Sequence, residues 1–228
     1  SGVKLRTKFN NDKCLILNRE VFDYELSLMA QSYGCDIHTG AIVKDLIFEK
    51  GQMKGVVVRK KRKEYNVLAN IVIAADGIES RIGRKVGIKT QVKMKDMESG
   101  IQYLVEDVAI DSQALDMYVG EKISPGGYLW VFPKGERKAN IGLAISGKHS
   151  PYKSAKRYLD EFIGNRFPNS KIISSRTGGI VVSRPIKNPI KNNVFLAGDA
   201  AHYINPLTGG GIASAMKSGM YAGRVASK

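Results

Sequence analysis

Apolar residues recur along this chain with three different textures. From Arg19 to Tyr33 they fall three or four positions apart, at Phe22, Leu26, Met29, Ala30 and Tyr33. That spacing predicts a helix with one apolar face, and Gly34 supplies its stop. Residues 13–18 read as a short strand before it, and 35–39 and 41–48 read as extended. Residues 53–59 and 64–68 read as a hairpin around the basic run Arg59-Lys60-Lys61-Arg62-Lys63. A second texture begins at Asn70. The continuous apolar run Ile71-Val72-Ile73-Ala74-Ala75 ends in Asp76-Gly77, which predicts a buried, parallel-type strand with a ligand-facing loop at its carboxyl end. A helix is predicted over 80–86.

The third texture starts near Lys95. Short strands are predicted over 99–106, 114–119, 127–133, 138–146 and 171–183, divided by Gly, Pro, Asp and Lys turns, with one helix over about 153–166. Evenly spaced strands of this kind form an antiparallel sheet. Asn193 to Asp199 then returns to the buried strand followed by a loop, and a helix of small residues is predicted from about Gly211 to Ala226. The expected fold is therefore mixed α/β. A discontinuous nucleotide-binding domain (1–94 and 185–228) would carry an inserted antiparallel substrate domain (95–184).

Composition narrows the class. A chain of 228 residues can bury one large core or two modest ones, and its apolar and charged fractions are those of ordinary globular proteins. No run approaches the roughly 18–20 apolar residues of a spanning helix, and no secretory signal opens the chain. It opens on Ser1-Gly2-Val3 rather than Met, which reads as a cut from a longer chain. Cys14 and Cys35 read as reduced, half-buried thiols, consistent with a cytoplasmic protein. The formal charge of +15 is spread along the chain. The run Arg59–Lys63 reads either as a solvated hairpin tip or as a contact for an anionic lipid or nucleic acid. No nucleic-acid-binding signature accompanies it, so no nucleic-acid partner is expected.

Candidate chemistry lies where the buried strands end. In Phe195-Leu196-Ala197-Gly198-Asp199-Ala200-Ala201-His202, the strand delivers a carboxylate among small neighbours, where it can accept hydrogen bonds from ligand hydroxyls. Asn205-Pro206-Leu207-Thr208-Gly209-Gly210-Gly211-Ile212 follows. Its glycines allow backbone N–H groups to approach a ligand, and a helix N-terminus behind them favours negative charge. Strand alternation puts Tyr128, Trp130 and Phe132 on one face, as a flat apolar wall or as a core stripe. His38, His149 and His202 show no metal-ligand spacing. No nucleophile elbow or phosphate-binding loop is present. His202 either touches a bound ligand or is simply packed.

Gly198-Asp199-Ala200-Ala201, Pro206-x-x-Gly209-Gly210-Gly211-Ile212 and the small-residue helix resemble the second FAD motif of the aromatic-hydroxylase-like flavoproteins. Arg19-x-x-Phe22-Asp23-x-x-Leu26 resembles the Arg-bearing helix start of that superfamily, and Ala75-Asp76-Gly77-x-x-Ser80 its Asp-Gly motif. Within it, Pro125-Gly126-Gly127-Tyr128-Leu129-Trp130-Val131-Phe132-Pro133, followed by Ala139-Asn140-Ile141-Gly142-Leu143, resembles the geranylgeranyl reductase family. The family's opening strand and Gly-x-Gly-x-x-Gly turn, which hold the ADP part of FAD, do not occur here.

The resemblance implies an FAD enzyme that saturates prenyl double bonds, by hydride from the reduced flavin and a proton from an acid or water. It places Arg19 beside the flavin or pyrophosphate and the Val43 backbone at the adenine side. Asp199 would take the ribityl or ribose hydroxyls, and the N–H groups of Gly211 and Ile212 would face the isoalloxazine. Tyr128, Trp130 and Phe132 would line the path of a geranylgeranyl lipid. The proton source stays open between Tyr128 and an ordered water, and the electron donor between NAD(P)H and a small redox protein. A basic surface suits peripheral docking at an anionic membrane. Two other readings remain at this stage: an FAD monooxygenase acting on an aromatic or quinone precursor, and a non-catalytic basic lipid-binding module.

Overall fold

The computed structural model describes residues 15–228. Cys14 and the first two positions of the strand expected at 13–18 lie outside the described residues, and residues 15–18 form no strand. Helix α1 runs Arg19–Ser32. It stops as the sequence predicts: Gly34 takes a left-handed φ of 87°, the Cys35 N–H donates to the Ala30 carbonyl, and the Gly34 N–H donates to that of Gln31. Those two bonds form a Schellman motif, which glycine favours because it has no Cβ to clash. Residues 35–39, expected to be extended, join no ladder, and Cys35 is exposed rather than half-buried.

Strands β1 (Ala41–Glu49), β2 (Gln52–Lys60) and β3 (Lys63–Leu68) form an antiparallel meander. Lys61 and Arg62 make the two-residue turn between β2 and β3, with Lys61 at φ 56°, so the basic run is a hairpin tip. Strand β4 (Val72–Ala74) is followed by a 3-10 turn at Gly77–Glu79 and helix α2 (Arg81–Lys85).

A 3-10 turn at Met94–Asp96 leads into β5 (Met97–Glu106). Strands β6 (Asp116–Gly120), β7 (Ser124–Pro133) and β8 (Lys138–Ser146), helix α3 (Ala155–Arg166) and β9 (Lys171–Val181) follow. The strands make one antiparallel sheet in the order β6-β7-β8-β5-β9. Ser154 caps α3 by accepting the Arg157 N–H at 3.3 Å. Ala155, Leu159 and Ile163, four apart on α3, pack on Val105, Leu129, Val131, Ile141, Leu143 and Ile145 to seal one face of the sheet.

The chain then returns. Strands β10 (Ile190–Lys191) and β11 (Val194–Leu196) join β4 in a second small sheet, with β11 parallel to β4 and Leu196 opposite Ala74. A separate core forms here from Leu46, Met53, Val58, Ala74, Ile82, Val86, Val194 and Leu196. A 3-10 turn at Gly198–Ala201 and helix α4 (Ile212–Ala226) complete the chain. The architecture is the mixed α/β arrangement with an antiparallel sheet that the sequence predicts.

Neither α1 nor α4 buries a residue, and Leu26, Met29 and Tyr33 form an apolar stripe that meets no core among the described residues. Strand β4, expected to be buried, leaves Ile73 41% exposed. No helix among the described residues is long and apolar enough to cross a bilayer. Leu143 is fully buried at the centre of the large sheet. Leu143→Ala is expected to cost about 2–5 kcal/mol, because the lost contacts leave a cavity. Denaturant unfolding checks this, and a loss below about 1 kcal/mol would show that the site collapses to fill the gap.

Candidate functional site

Parallel pairing of β4 and β11 puts two loops side by side at the strand ends, where α/β folds place ligands. The Ala197 N–H donates to the Ala74 carbonyl at 3.0 Å. Beneath the loops lies a buried polar chain that sequence reading missed. Ser80 sits in a left-handed conformation at φ 41°, and its hydroxyl donates to the Ala200 carbonyl at 2.9 Å. The Thr90 hydroxyl donates to the Ser80 carbonyl at 3.3 Å. His202 is buried, with Nε2 3.1 Å from the Thr90 carbonyl and Nδ1 2.9 Å from the Ser183 hydroxyl. A carbonyl can only accept, so Nε2 carries a proton. His202 is thus packed beneath the turn. Asp76 uses Oδ2 to accept the Ile82 N–H at 2.9 Å, which anchors α2. The signals for this network in the sequence are Ser80, which closes the Asp-Gly motif, and His202, which follows Gly198-Asp199-Ala200-Ala201.

Three of the five residues expected at a cofactor, Asp199, Gly211 and Ile212, lie together at the Gly198–Ala201 turn and the start of α4. Asp199 is half-buried on the turn. A Cβ placed on Gly211 would sit 3.2 Å from Asp199 Oδ1, so a side chain there would press on the carboxylate. Ile212 is the next residue, and α4 starts at it with no side-chain cap. Its first N–H groups therefore offer an anion-binding end. Asn205 shapes the preceding loop: its Oδ1 accepts the N–H groups of Leu207 and Thr208 at 2.9 and 3.2 Å. Arg19 grips Asp23 through two hydrogen bonds, at 3.0 and 2.9 Å. Asp23 raises the Arg19 pKa, and the charge of Asp199 acts in the same direction, which places Arg19 within electrostatic reach of the turn. Val43 lies exposed at a bulge in β1.

The aromatic row occupies the sheet face opposite α3. Leu129 and Val131 point into the core, so Tyr128, Trp130 and Phe132 are half-buried on the other side. Ring centroids are 5.6 Å apart between Tyr128 and Trp130, and 6.2 Å between Trp130 and Phe132. The Trp130 Nε1–H donates to Gln102 Oε1 at 3.0 Å. Beneath Trp130 lies Gly142, where a Cβ would come within 2.5 Å of the indole. The register continues the floor of this face across Gly142 and Gln102 to Arg176, which is ion-paired with Glu20 of α1.

One bond joins this face to the glycine-rich loop. The Tyr128 hydroxyl donates to the Thr208 carbonyl at 2.5 Å. Burial raises the Tyr128 pKa, and the Glu98 carboxylate adds to the shift. An apolar cavity of about 630 Å³ also borders α4, between Phe195, Leu196, Tyr203 and Tyr221. None of the expected cofactor or aromatic-row residues lines it.

A family model for the geranylgeranyl reductase catalytic domain matches residues 96–180. A digeranylgeranylglycerophospholipid reductase from Methanocella arvoryzae is 41% identical over 215 residues, covering 94% of this chain and 55% of that protein. Its namesake from Methanoculleus marisnigri is 42% identical over 219 residues, covering 96% and 55%. A solved geranylgeranyl bacteriochlorophyll reductase-like protein from Thermoplasma acidophilum has 39% identity and a TM-score of 0.89, covering 96% of this chain and 56% of that one. A flavin-dependent brominase with 17% identity and a TM-score of 0.77 shares the fold alone, over 92% of this chain and 56% of its own. The chain spans about half the length of the curated relatives it matches.

Tyr128→Phe removes the bond between sheet and loop without altering the ring. A net hydrogen bond of about 1 kcal/mol corresponds to roughly fivefold faster amide exchange at Gly209–Gly211, with β8 amides unchanged. Unchanged exchange in the loop would mean that other contacts hold it.

Proposed function

The chain belongs to the geranylgeranyl reductase family, and on that premise we propose that its protein is an FAD-dependent reductase of C=C bonds in geranylgeranyl lipids. The observation that carries the reading is the aromatic face of the large sheet, tied by Tyr128 to the glycine-rich loop at Thr208. A prenyl chain is long, flexible and apolar, and an open wall of Tyr128, Trp130 and Phe132 matches it by apolar contact. The relatives' names carry the same substrate class.

The residues present fit a flavin. An uncapped helix N-terminus at Ile212 suits an anionic ring edge. Asp199 offers acceptors for cofactor hydroxyls, and Arg19 offers a cation beside it. Gly211 keeps the space above Asp199 free of a side chain. Val43 is assigned to the adenine side through its backbone. When bound, FAD supplies the hydride that the alkene takes. The chain's own residues then act around it: Asp199 and Arg19 hold the cofactor, the aromatic row aligns the chain, and the apolar face keeps water from the reacting carbons.

NAD(P)H or a small redox protein recharges the flavin in this reading. A formal charge of +15 suits peripheral docking at an anionic membrane from the cytoplasmic side. In this account residues 95–184 form the substrate domain, and 1–94 with 185–228 form part of the cofactor domain.

The intact protein, reconstituted with FAD, should show bound-flavin absorption. Under anaerobic dithionite it should add two hydrogens per double bond to a geranylgeranyl phospholipid, read by mass. Trp130→Ala should keep the flavin and lose about tenfold or more in activity, since a large buried aromatic contributes about 1.5–3 kcal/mol of apolar contact. A hydroxylated aromatic product would make the protein a monooxygenase. A protein that takes up no FAD but still binds lipid would be a binding module.

A further inference from the structure

Alkene reduction needs a proton as well as a hydride, and the sheet face holds an acid suited to supply it. We infer that Glu98 is the catalytic acid, which gives its carboxyl proton to one carbon of the double bond while the other carbon takes the hydride. The inference rests on the reductase reading above.

Three observations place Glu98 there. It lies on β5 four residues before Gln102, so strand alternation puts it on the face where Gln102 holds Trp130. Its register partner on β9 is Ile180. The Ile180 side chain and the Tyr128 hydroxyl lie 3.8 and 4.0 Å from the position a Cβ would take on Gly209. Glu98 therefore stands at the end of the aromatic face that meets the glycine-rich loop, where cofactor and chain would come together.

The carboxyl is also unengaged among the described residues. Glu98 is half-buried, yet no hydrogen bond or ion pair reaches its side chain among the described residues. Burial pushes its pKa up, which keeps a proton on it nearer neutrality than an exposed glutamate would. Tyr128 faces it from β7 and feels its charge. From β8 it meets Ser146 and Ala144, and from β9 Ile180 and Gly178, none of them charged. Arg176, further along β9, is ion-paired with Glu20. Lys95 and Asp96 lie in the turn just before β5. Tyr128 is a poorer acid, because burial raises its pKa and its proton is committed to the Thr208 carbonyl.

The step balances. The Glu98 O–H bond breaks and a C–H bond forms at one alkene carbon. The other carbon would receive a hydride from the two-electron-reduced FAD of the proposed reaction, which would be oxidised by two electrons. The alkene gains two hydrogens, and the carboxylate regains its proton from water.

Single-turnover reoxidation of dithionite-reduced enzyme by a geranylgeranyl phospholipid tests this in the intact flavoprotein, between about pH 5 and 9. Wild type should slow as pH rises and Glu98 loses its proton. Glu98→Gln should retain FAD and its reduction by dithionite, react about 100-fold more slowly and lose that pH limb. Glu98→Asp should keep part of the rate with the limb displaced, and it decides the matter if Glu98→Gln loses its flavin. A Glu98→Gln rate within about twofold of wild type, or a loss confined to KM, would overturn the assignment while leaving the reductase reading intact. In Glu98→Asp, an undisplaced limb would do the same. A wild-type protein that reduces no geranylgeranyl lipid would remove the reading itself, and the acid with it.

Discussion

Strand β7 carries Tyr128, Leu129, Trp130, Val131 and Phe132 in succession, and a strand cannot turn neighbouring side chains to the same face. Once α3 claims Leu129 and Val131 for the core, the three aromatic rings must stand on the opposite side. On that side the rings remain half-buried. The sheet is thus both a scaffold and a surface: its apolar layer fixes the strands, and its aromatic layer stays half-exposed, where the proposed lipid chain would lie. Gly142 completes the arrangement, since any side chain there would drive into the Trp130 indole.

A second constraint joins this surface to the small-residue loops. Strands β4 and β11 lie more than a hundred residues apart in the chain yet pair in parallel, and their ends bring Asp76 and Asp199 into one region. The buried Ser80, Thr90 and His202, with half-buried Ser183, hold that region by satisfied hydrogen bonds, which are costly to break singly in a low-dielectric interior. The ion pairs add little by comparison. Arg19–Asp23, Arg81–Glu79 and Arg137–Asp107 are all well exposed, where such pairs contribute at most about 1 kcal/mol.

Local chemistry is what the sequence makes legible. Gly34 ends α1 because a left-handed residue closes the Schellman bonds, and the basic run at Lys61 turns a hairpin because two strand-like stretches flank it. The alternation at Tyr128–Phe132 is equally local, and its resemblance to a known family motif supplies the proposed substrate class. Contacts between distant segments leave no such trace. Nothing in the sequence of Tyr128 says that its hydroxyl meets Thr208, eighty residues on. Likewise, Glu98 gains its half-buried setting only when β5, β8, β9 and the loop assemble. His202 could be read either way until Thr90 and Ser183 were placed around it. The apolar spacing on α1 likewise predicts the helix but not what its face packs against, because period alone does not name a partner.

The account stands on one claim: the aromatic face and the glycine-rich loop form a single reaction site. A crystal structure of the intact protein with FAD and a geranylgeranyl phospholipid tests it most directly. The account predicts prenyl carbons in van der Waals contact with Trp130, the isoalloxazine edge at the Gly211 and Ile212 N–H groups, and a double bond between that edge and Glu98. A lipid chain lodged in the cavity between α4 and β11, with the aromatic face empty, would contradict it.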